Sequence, residues 1–283
     1  MAQEAGRIRF HYGFYAAMKV EYDLIHAQLT YEQEKQLGED PIRLDFLIIK
    51  KNPAVVLHDH IGEFFKAVNL FEYKSPEDSL SIDTFYKAQG YGLIYKGFDR
   101  KVNELPIEDI TLTLVRHAYP REMMAALKHS GFIIHEPYKG IFRFEGKISI
   151  PVQLIVSSRL PHGQYEGLKL LAQGCTKDAI IQYAEKAIAS QDENIKTNAG
   201  TVISICLDIN RNLGSQLKED GAMNEIIRDI FKNDFDAAKQ EEKERVASDM
   251  LKDNYPLSAI QKISKLSEDT IRNLAKNLGI AIL

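Results

Sequence analysis

The sequence predicts an α/β fold: a mixed sheet flanked by helices, followed by a helical C-terminal region. Three observations lead there. Between residue 10 and about residue 160, short alternating segments of strand length interleave with segments on helical spacing. From Gln164 onward only helical patterns remain. A hydrophobic fraction of 45% and a charged fraction of 27% over 283 residues suit a large buried core and exclude disordered, collagen-like and coiled-coil chains. That length allows one large domain or two of moderate size. The expected division is a core over residues 1–160 and a helical region over residues 161–283.

The elements follow in order. Phe14, Ala17, Met18 and Glu21 to Leu24 fall on helical spacing, which predicts a helix over 10–24. Ala27 to Lys35 alternates, with Leu29, Tyr31 and Gln33 against Thr30, Glu32 and Glu34, as a strand does. The turn cluster Gly38-Glu39-Asp40-Pro41 joins it to a second strand, Ile42 to Lys50, as a hairpin. An irregular excursion through Asn52-Pro53 and His58-Asp59-His60 leads to a third strand, Asn69 to Lys74, which Ser75-Pro76 ends. Ser81 reads as the N-cap of a helix through Lys96, with Asp83 in the favourable first turn. Ile110 to Arg116 is a strand, and Pro120 and Gly131 bracket a helix over 120–129. Ile133 to His135, Gly140 to Phe144 and Ile148 to Val156 are further strands. Residues 164–213 read as two apolar helices and 222–251 as a longer charged one. Ser258–Lys265 and Glu268–Leu278 form a terminal pair of helices joined by a brief turn.

Composition narrows the function classes. There are 36 Lys and Arg against 40 Asp and Glu, a net charge of −4. That balance does not suit non-specific coating of nucleic acid, which needs many cations on phosphates, but it leaves room for a local basic cleft. The N-terminal MAQEAGRIRF lacks the apolar run of a signal peptide, and no stretch approaches the ~18 apolar residues of a membrane span. A cytoplasmic protein is expected. Two cysteines, Cys175 and Cys206, cannot build a disulfide framework or a four-thiolate zinc site and read as buried thiols.

The stretch Arg43-Leu44-Asp45-Phe46-Leu47-Ile48-Ile49, with Leu70-Phe71-Glu72-Tyr73-Lys74 after it, carries the chemistry. Strand periodicity puts Asp45 on the face of Leu47 and Ile49, a costly place for a lone carboxylate. Glu72 and Lys74 are two apart and share a face. If the two strands are neighbours, two carboxylates and an ammonium converge at one edge of a sheet. That is the inventory of metal-assisted phosphodiester hydrolysis: hard oxygen ligands for Mg²⁺ or Mn²⁺, and an ammonium for the attacking water and the developing charge. The structural alternative is an ion pair of Lys74 with Asp45 or Glu72.

A helix, a hairpin with an Asp on its second strand, Glu-x-Lys on the third strand and then a helix carrying Gln89 resembles the PD-(D/E)XK nuclease superfamily. Phe71-Glu72-Tyr73-Lys74-Ser75-Pro76 with Ser81 to Lys87 and Gly90-Tyr91, and Pro41 to Asp45 with Ile48-Ile49-Lys50-Lys51, resemble its Rpn (recombination-promoting nuclease)/transposase-like branch. The resemblance covers roughly residues 10–97. It implies a restriction-endonuclease-like mixed sheet and a DNA endonuclease dependent on Mg²⁺ or Mn²⁺. It further implies metal ligation by Asp45 and Glu72, catalysis with Lys74, and auxiliary roles for Glu21 and Gln89. The implied partner is DNA; a homodimer is compatible with it, and no membrane is involved. An inactive descendant, acting as a DNA-binding or regulatory module, is the alternative.

Other signals compete. Leu112 to Ala118, ending in Arg116-His117, resembles the phosphohistidine motif of the histidine phosphatases, in which His is the nucleophile and Arg binds phosphate. His58 and His60 have the spacing of two zinc ligands on one strand face, without a third nearby. Gln89 can equally cap a neighbouring strand. Residues 257–279 have the length and turn of a small helix-turn-helix, or of an ordinary helical hairpin. No Gly-x-Gly-x-x-Gly, phosphate loop, Gly-x-Ser-x-Gly or zincin motif is present.

Overall fold

The computed structural model describes residues 2–36, 43–50, 52, 54–98, 101–210, 213, 232–253 and 255–280. The chain divides into two units, residues 1–227 and 228–283. In the first, α1 (Ala2–Glu21) is followed by β1 (Leu29–Gln36), β2 (Arg43–Lys50), β3 (Val68–Lys74), α2 (Ile82–Gly97), β4 (Ile110–Arg116) and α3 (Arg121–His129). Then come β5 (Ile133–Tyr138), β6 (Ile141–Glu145), β7 (Val152–Val156), α4 (Glu166–Leu170), α5 (Lys177–Ile188) and α6 (Glu193–Ile209).

The seven strands form one mixed sheet in the order β1-β2-β3-β4-β7-β6-β5. β1, β2 and β3 are an antiparallel series, so the excursion over 52–68 returns the third strand beside the second, with Leu47 across from Leu70. β3, β4 and β7 run parallel, and β6 and β5 complete that side antiparallel. The expected α/β architecture, a mixed sheet flanked by helices with helices at the C-terminus, is the one observed.

Alternation splits the buried side chains between two faces. Leu47, Leu70, Leu112 and Leu154 form one face, and Phe85 and Ala88 of α2 and Met123, Met124 and Leu127 of α3 pack on it. The other face carries Phe46, Phe71 and Tyr73, against which α1 lays Phe14. Buried polar side chains in the middle of the sheet bond one another: Thr111 Oγ1 donates to Asn69 Oδ1, and Gln153 Nε2 donates to Thr113 Oγ1. α4 and α6 pack on α1. Gly13 allows that approach, because a Cβ there would stand 2.6 Å from Cδ1 of Ile205 on α6.

Several boundaries differ from expectation for local reasons. α1 begins at Ala2 and ends at Glu21, and a 3-10 turn, Asp23–Gln28, takes up the rest of the expected helix. β7 starts at Val152, since Pro151 has no N–H to give a ladder. β5 continues to Tyr138 at the sheet's edge, through Pro137 and across a register shift between His135 and Tyr138. The two helices expected over 164–213 are three, because Thr176 and Asp192 each cap a new start. The turn at 38–41 and residues 222–231 lie outside the described residues. The change of texture near residue 160 marks the passage from sheet to helices within the first unit; packing on α1, which composition does not encode, keeps α4 and α6 with the sheet.

The second unit contains α7 (Lys232–Lys252), α8 (Leu257–Ser264) and α9 (Glu268–Leu278). Ala247 and Leu251 of α7 pack with Ile260 of α8 and Ile271 and Ala275 of α9. Lys265, at φ 59°, makes the left-handed turn between the last two helices, and Ser267 caps α9. Among the described residues, no helix is long and apolar enough to cross a membrane.

Candidate active site

Asp45, Glu72 and Lys74 lie at one end of the paired stretch of β2 and β3. Glu72 and Lys74 share a face of β3, while the Asp45 carboxylate turns to the Tyr73 N–H and to His11 of α1. The pairing of β2 with β3 ends at Phe46 and Phe71, one residue before Asp45 and Glu72. Lys74 Nζ stands 2.7 Å from Glu72 Oε1, each side chain only 11% exposed. Asp45 Oδ2 accepts the backbone N–H of Tyr73 at 2.9 Å, which fixes the carboxylate against β3. Burial of these charges is tolerated because each has a partner within reach.

α1 adds a residue that motif reading missed. His11 Nδ1 lies 3.4 Å from Asp45 Oδ1, and its ring meets Tyr73 edge-on with centroids 6.0 Å apart. Phe14, one turn further along α1, stacks on Tyr73 at 4.7 Å and anchors the helix over this end of the sheet. Helical spacing back from Phe14 was the available signal for His11. Burial of Tyr73 pushes its phenol well above the usual range, with Asp78 adding to the effect, so it stays a neutral wall of the site.

Glu21 does not join this group. It lies ten residues beyond His11 on α1, about 15 Å along the axis. There Lys186 Nζ donates to Glu21 Oε2 at 3.1 Å. Burial raises the Glu21 pKa, Lys186 opposes the rise, and Asp59 and Glu166 add to it. The folded chain therefore holds this proton more tightly than the unfolded chain, and the carboxyl costs stability as pH rises above its ordinary value of 4.5. Glu21→Gln is expected to be at least as stable as the parent near pH 7, with the difference shrinking towards about pH 4, in urea melts at the two pH values. A variant clearly less stable near neutrality would mean that the Lys186 pair outweighs burial.

Gln89 has a structural task. Its Nε2 donates to the Ile150 carbonyl at 2.8 Å, and its Oε1 accepts the Ile150 N–H at 3.2 Å. A buried amide thus satisfies both backbone groups of the residue leading into β7. Gln89→Leu leaves them unpaired and is expected to cost about 1–3 kcal/mol in urea denaturation. A neutral result would require those groups to find other partners.

The competing motifs separate in space. Arg116 Nε donates to the Asp78 carbonyl at 3.2 Å, whereas His117, just past the end of β4, is hydrogen-bonded through Nδ1 to Ser157 Oγ at 3.0 Å. The two side chains are thus engaged with different segments. His60 stacks on Tyr138 at 3.8 Å, and Asp59 between the two imidazoles serves the backbone N–H groups of Ile61 and Gly62. Among the described residues, the one trio of metal-capable groups within 4.8 Å of one another is Asp23, His26 and Asp192, on the surface; Asp192 there caps α6. Cys206 is buried as expected, while Cys175 is partly exposed. On α9, Arg272 is paired with Glu268. No family model, curated protein or solved structure matches the chain.

Proposed function

We propose that the chain is a metal-dependent nuclease that hydrolyses DNA phosphodiester bonds, with a restriction-endonuclease-like core of the PD-(D/E)XK kind and of its Rpn/transposase-like branch. The observation that carries this reading is the placement of Asp45 and of the Glu72–Lys74 pair at one end of two adjacent strands, with Asp45 bonded to the Tyr73 N–H between Glu72 and Lys74. The order of elements supports it: α1, a hairpin bearing Asp45, β3 bearing Glu-x-Lys, then α2 bearing Gln89.

The donor set fits a hard divalent cation. Asp45 and Glu72 offer carboxylate oxygens, the hard ligand type such an ion takes, from adjacent strands. One or two carboxylates plus retained waters are the usual protein share of a Mg²⁺ site. Bound there, Mg²⁺ or Mn²⁺ supplies Lewis acidity to a phosphoryl oxygen and acidifies a water. Lys74 orients Glu72 and directs its remaining N–H bonds at the attacking water and at charge growing on the phosphate. His11 positions Asp45 from the side of α1. Low exposure strengthens each of these interactions. A cytoplasmic location accords with this activity.

Incubating supercoiled plasmid with the purified chain and Mg²⁺ or Mn²⁺, with and without chelator, tests the reading. Nicking that requires metal supports it; no cleavage by folded protein with either metal overturns it. The 2.7 Å Lys74–Glu72 contact favours a second reading, in which the same residues are a structural ion pair and the chain binds DNA without cutting it.

A further inference from the structure

β4 and β7 are neighbouring parallel strands whose chains leave the sheet on opposite sides. After β4 the chain turns to α3, which packs with α2 over Leu112 and Leu154. After β7 it turns to α4, which packs on α1. A reversal of this kind opens a crevice beyond the carboxyl ends of the two strands, where open α/β sheets take their ligands. A cleft of about 490 Å³ lies there, within the usual size of small-molecule sites.

Several of its polar groups come from segments far apart in the chain. His117 follows β4, Ser157 and Ser158 follow β7, Lys139 comes from the β5–β6 turn and Lys169 from α4. Lys169 Nζ donates to the Pro161 carbonyl and to Glu166 Oε1, which leaves its third N–H for the cleft. Glu166, the carboxylate in the wall, takes Lys169 and the N–H of Gly163 on Oε1, with His162 Nδ1 3.4 Å from the same oxygen, and its charge offsets that of Lys169. The twelve-residue helix α5 starts at the cleft behind Thr176 and adds partial positive charge. His117 is committed to Ser157 through one nitrogen and keeps the other for a ligand. Burial lowers its pKa, with Arg116 adding to the effect, so it remains a neutral imidazole near pH 7. Leu160, Leu170 and Ala179 supply an apolar wall.

We propose that this cleft binds a phosphomonoester of about mononucleotide size. Two ammonium groups, a free hydroxyl and a helix end serve more oxygens than a carboxylate presents, and they match the charge and three acceptor oxygens of a phosphate. The apolar wall takes the uncharged body of the ligand. The cleft is separate from the group on β2 and β3, and the proposal stands without a metal there.

Calorimetric titration of the full chain with adenosine 5′-monophosphate, ribose 5-phosphate and adenosine tests it. At least one of the two phosphates is expected to bind, with adenosine at least about tenfold weaker than its monophosphate. Lys139→Glu and Ser158→Trp, both at exposed positions, are each expected to weaken binding about tenfold or more. Binding of the nucleotide alone identifies the source as a nucleotide; binding of both identifies it as any sugar phosphate. Cys175 supplies a local reporter: it lines the cleft and is partly exposed. A bound phosphomonoester is expected to slow its alkylation by iodoacetamide. Absence of binding by either phosphate, adenosine binding as tightly as its monophosphate, binding untouched by Ser158→Trp, or unprotected Cys175 would each overturn the proposal. Because the readout is binding, its failure leaves the nuclease reading standing, and the converse holds.

Discussion

Lys74→Ala is expected to abolish metal-dependent nicking of supercoiled plasmid, a loss of about 10²–10³-fold or more, in a protein that still folds. The substitution removes the donors aimed at the attacking water and at the charged transition state. It also leaves Glu72 beside Asp45 without the ammonium 2.7 Å away. Breaking a fully buried pair costs about 3–5 kcal/mol, and this pair, at the end of the sheet, sets a milder case. Stability therefore has to be read beside activity, by thermal melting of the same samples. The double variant Glu72→Gln with Lys74→Met removes both charges, keeps the apolar stem of the lysine and spares the fold an uncompensated carboxylate. If that double variant melts like the parent and does not nick, the charges serve chemistry. If Lys74→Ala cuts as well as the parent, the nuclease assignment fails. If the parent never cuts and only the melting temperature responds, the pair is structural.

Phe46→Ala is expected to cost about 3–5 kcal/mol, enough to unfold much of a domain whose whole stability is about 5–15 kcal/mol. Phe46 is fully buried, with ring centroids of Phe14, Tyr15, Tyr31 and Phe71 all within 6 Å. It lies where α1 closes on the sheet, so the rings around it cannot collapse without moving helix or strand. Urea denaturation at constant slope measures the loss, and Phe46→Leu, which refills most of the volume, is expected to recover a good part of it. A cost near 1 kcal/mol would mean that the aromatic cluster relaxes into the space. The neighbouring residue in the chain is Asp45, so the packing that stabilises this unit also holds the candidate site.

The strands were legible where alternation was strong. Leu47 and Ile49 on one face of β2 and Glu72 with Lys74 on one face of β3 follow from a period of two, and the observed pairing makes the two strands neighbours. Ser81 was legible as a cap because a capping oxygen accepts the N–H three residues on, and Thr84 N–H does donate to it. Glu21 was misread and His11 missed for one reason: both lie on α1, and only packing decides which turn of a helix faces a given strand end. The stack of Phe14 on Tyr73 makes that decision, across 59 residues of sequence. Gln89 was ambiguous because an amide on a helical stripe can serve a ligand or a backbone, and the partner, Ile150, is remote in the chain. The cleft beyond β4 and β7 was marked in the sequence only by His117, since it arises from which side each following segment leaves the sheet.

The way the sheet ends at β5 bears on self-association. A free edge offers a row of N–H and C=O groups on which another molecule can lay a strand, and that is a common route to aggregation. β5 carries Pro137, which has no N–H to offer, and a register shift between His135 and Tyr138 interrupts its pairing. Glu136 adds a charge at the same place. An incoming strand would lose hydrogen bonds at the proline and find the row out of step beyond it, so this edge resists becoming a template.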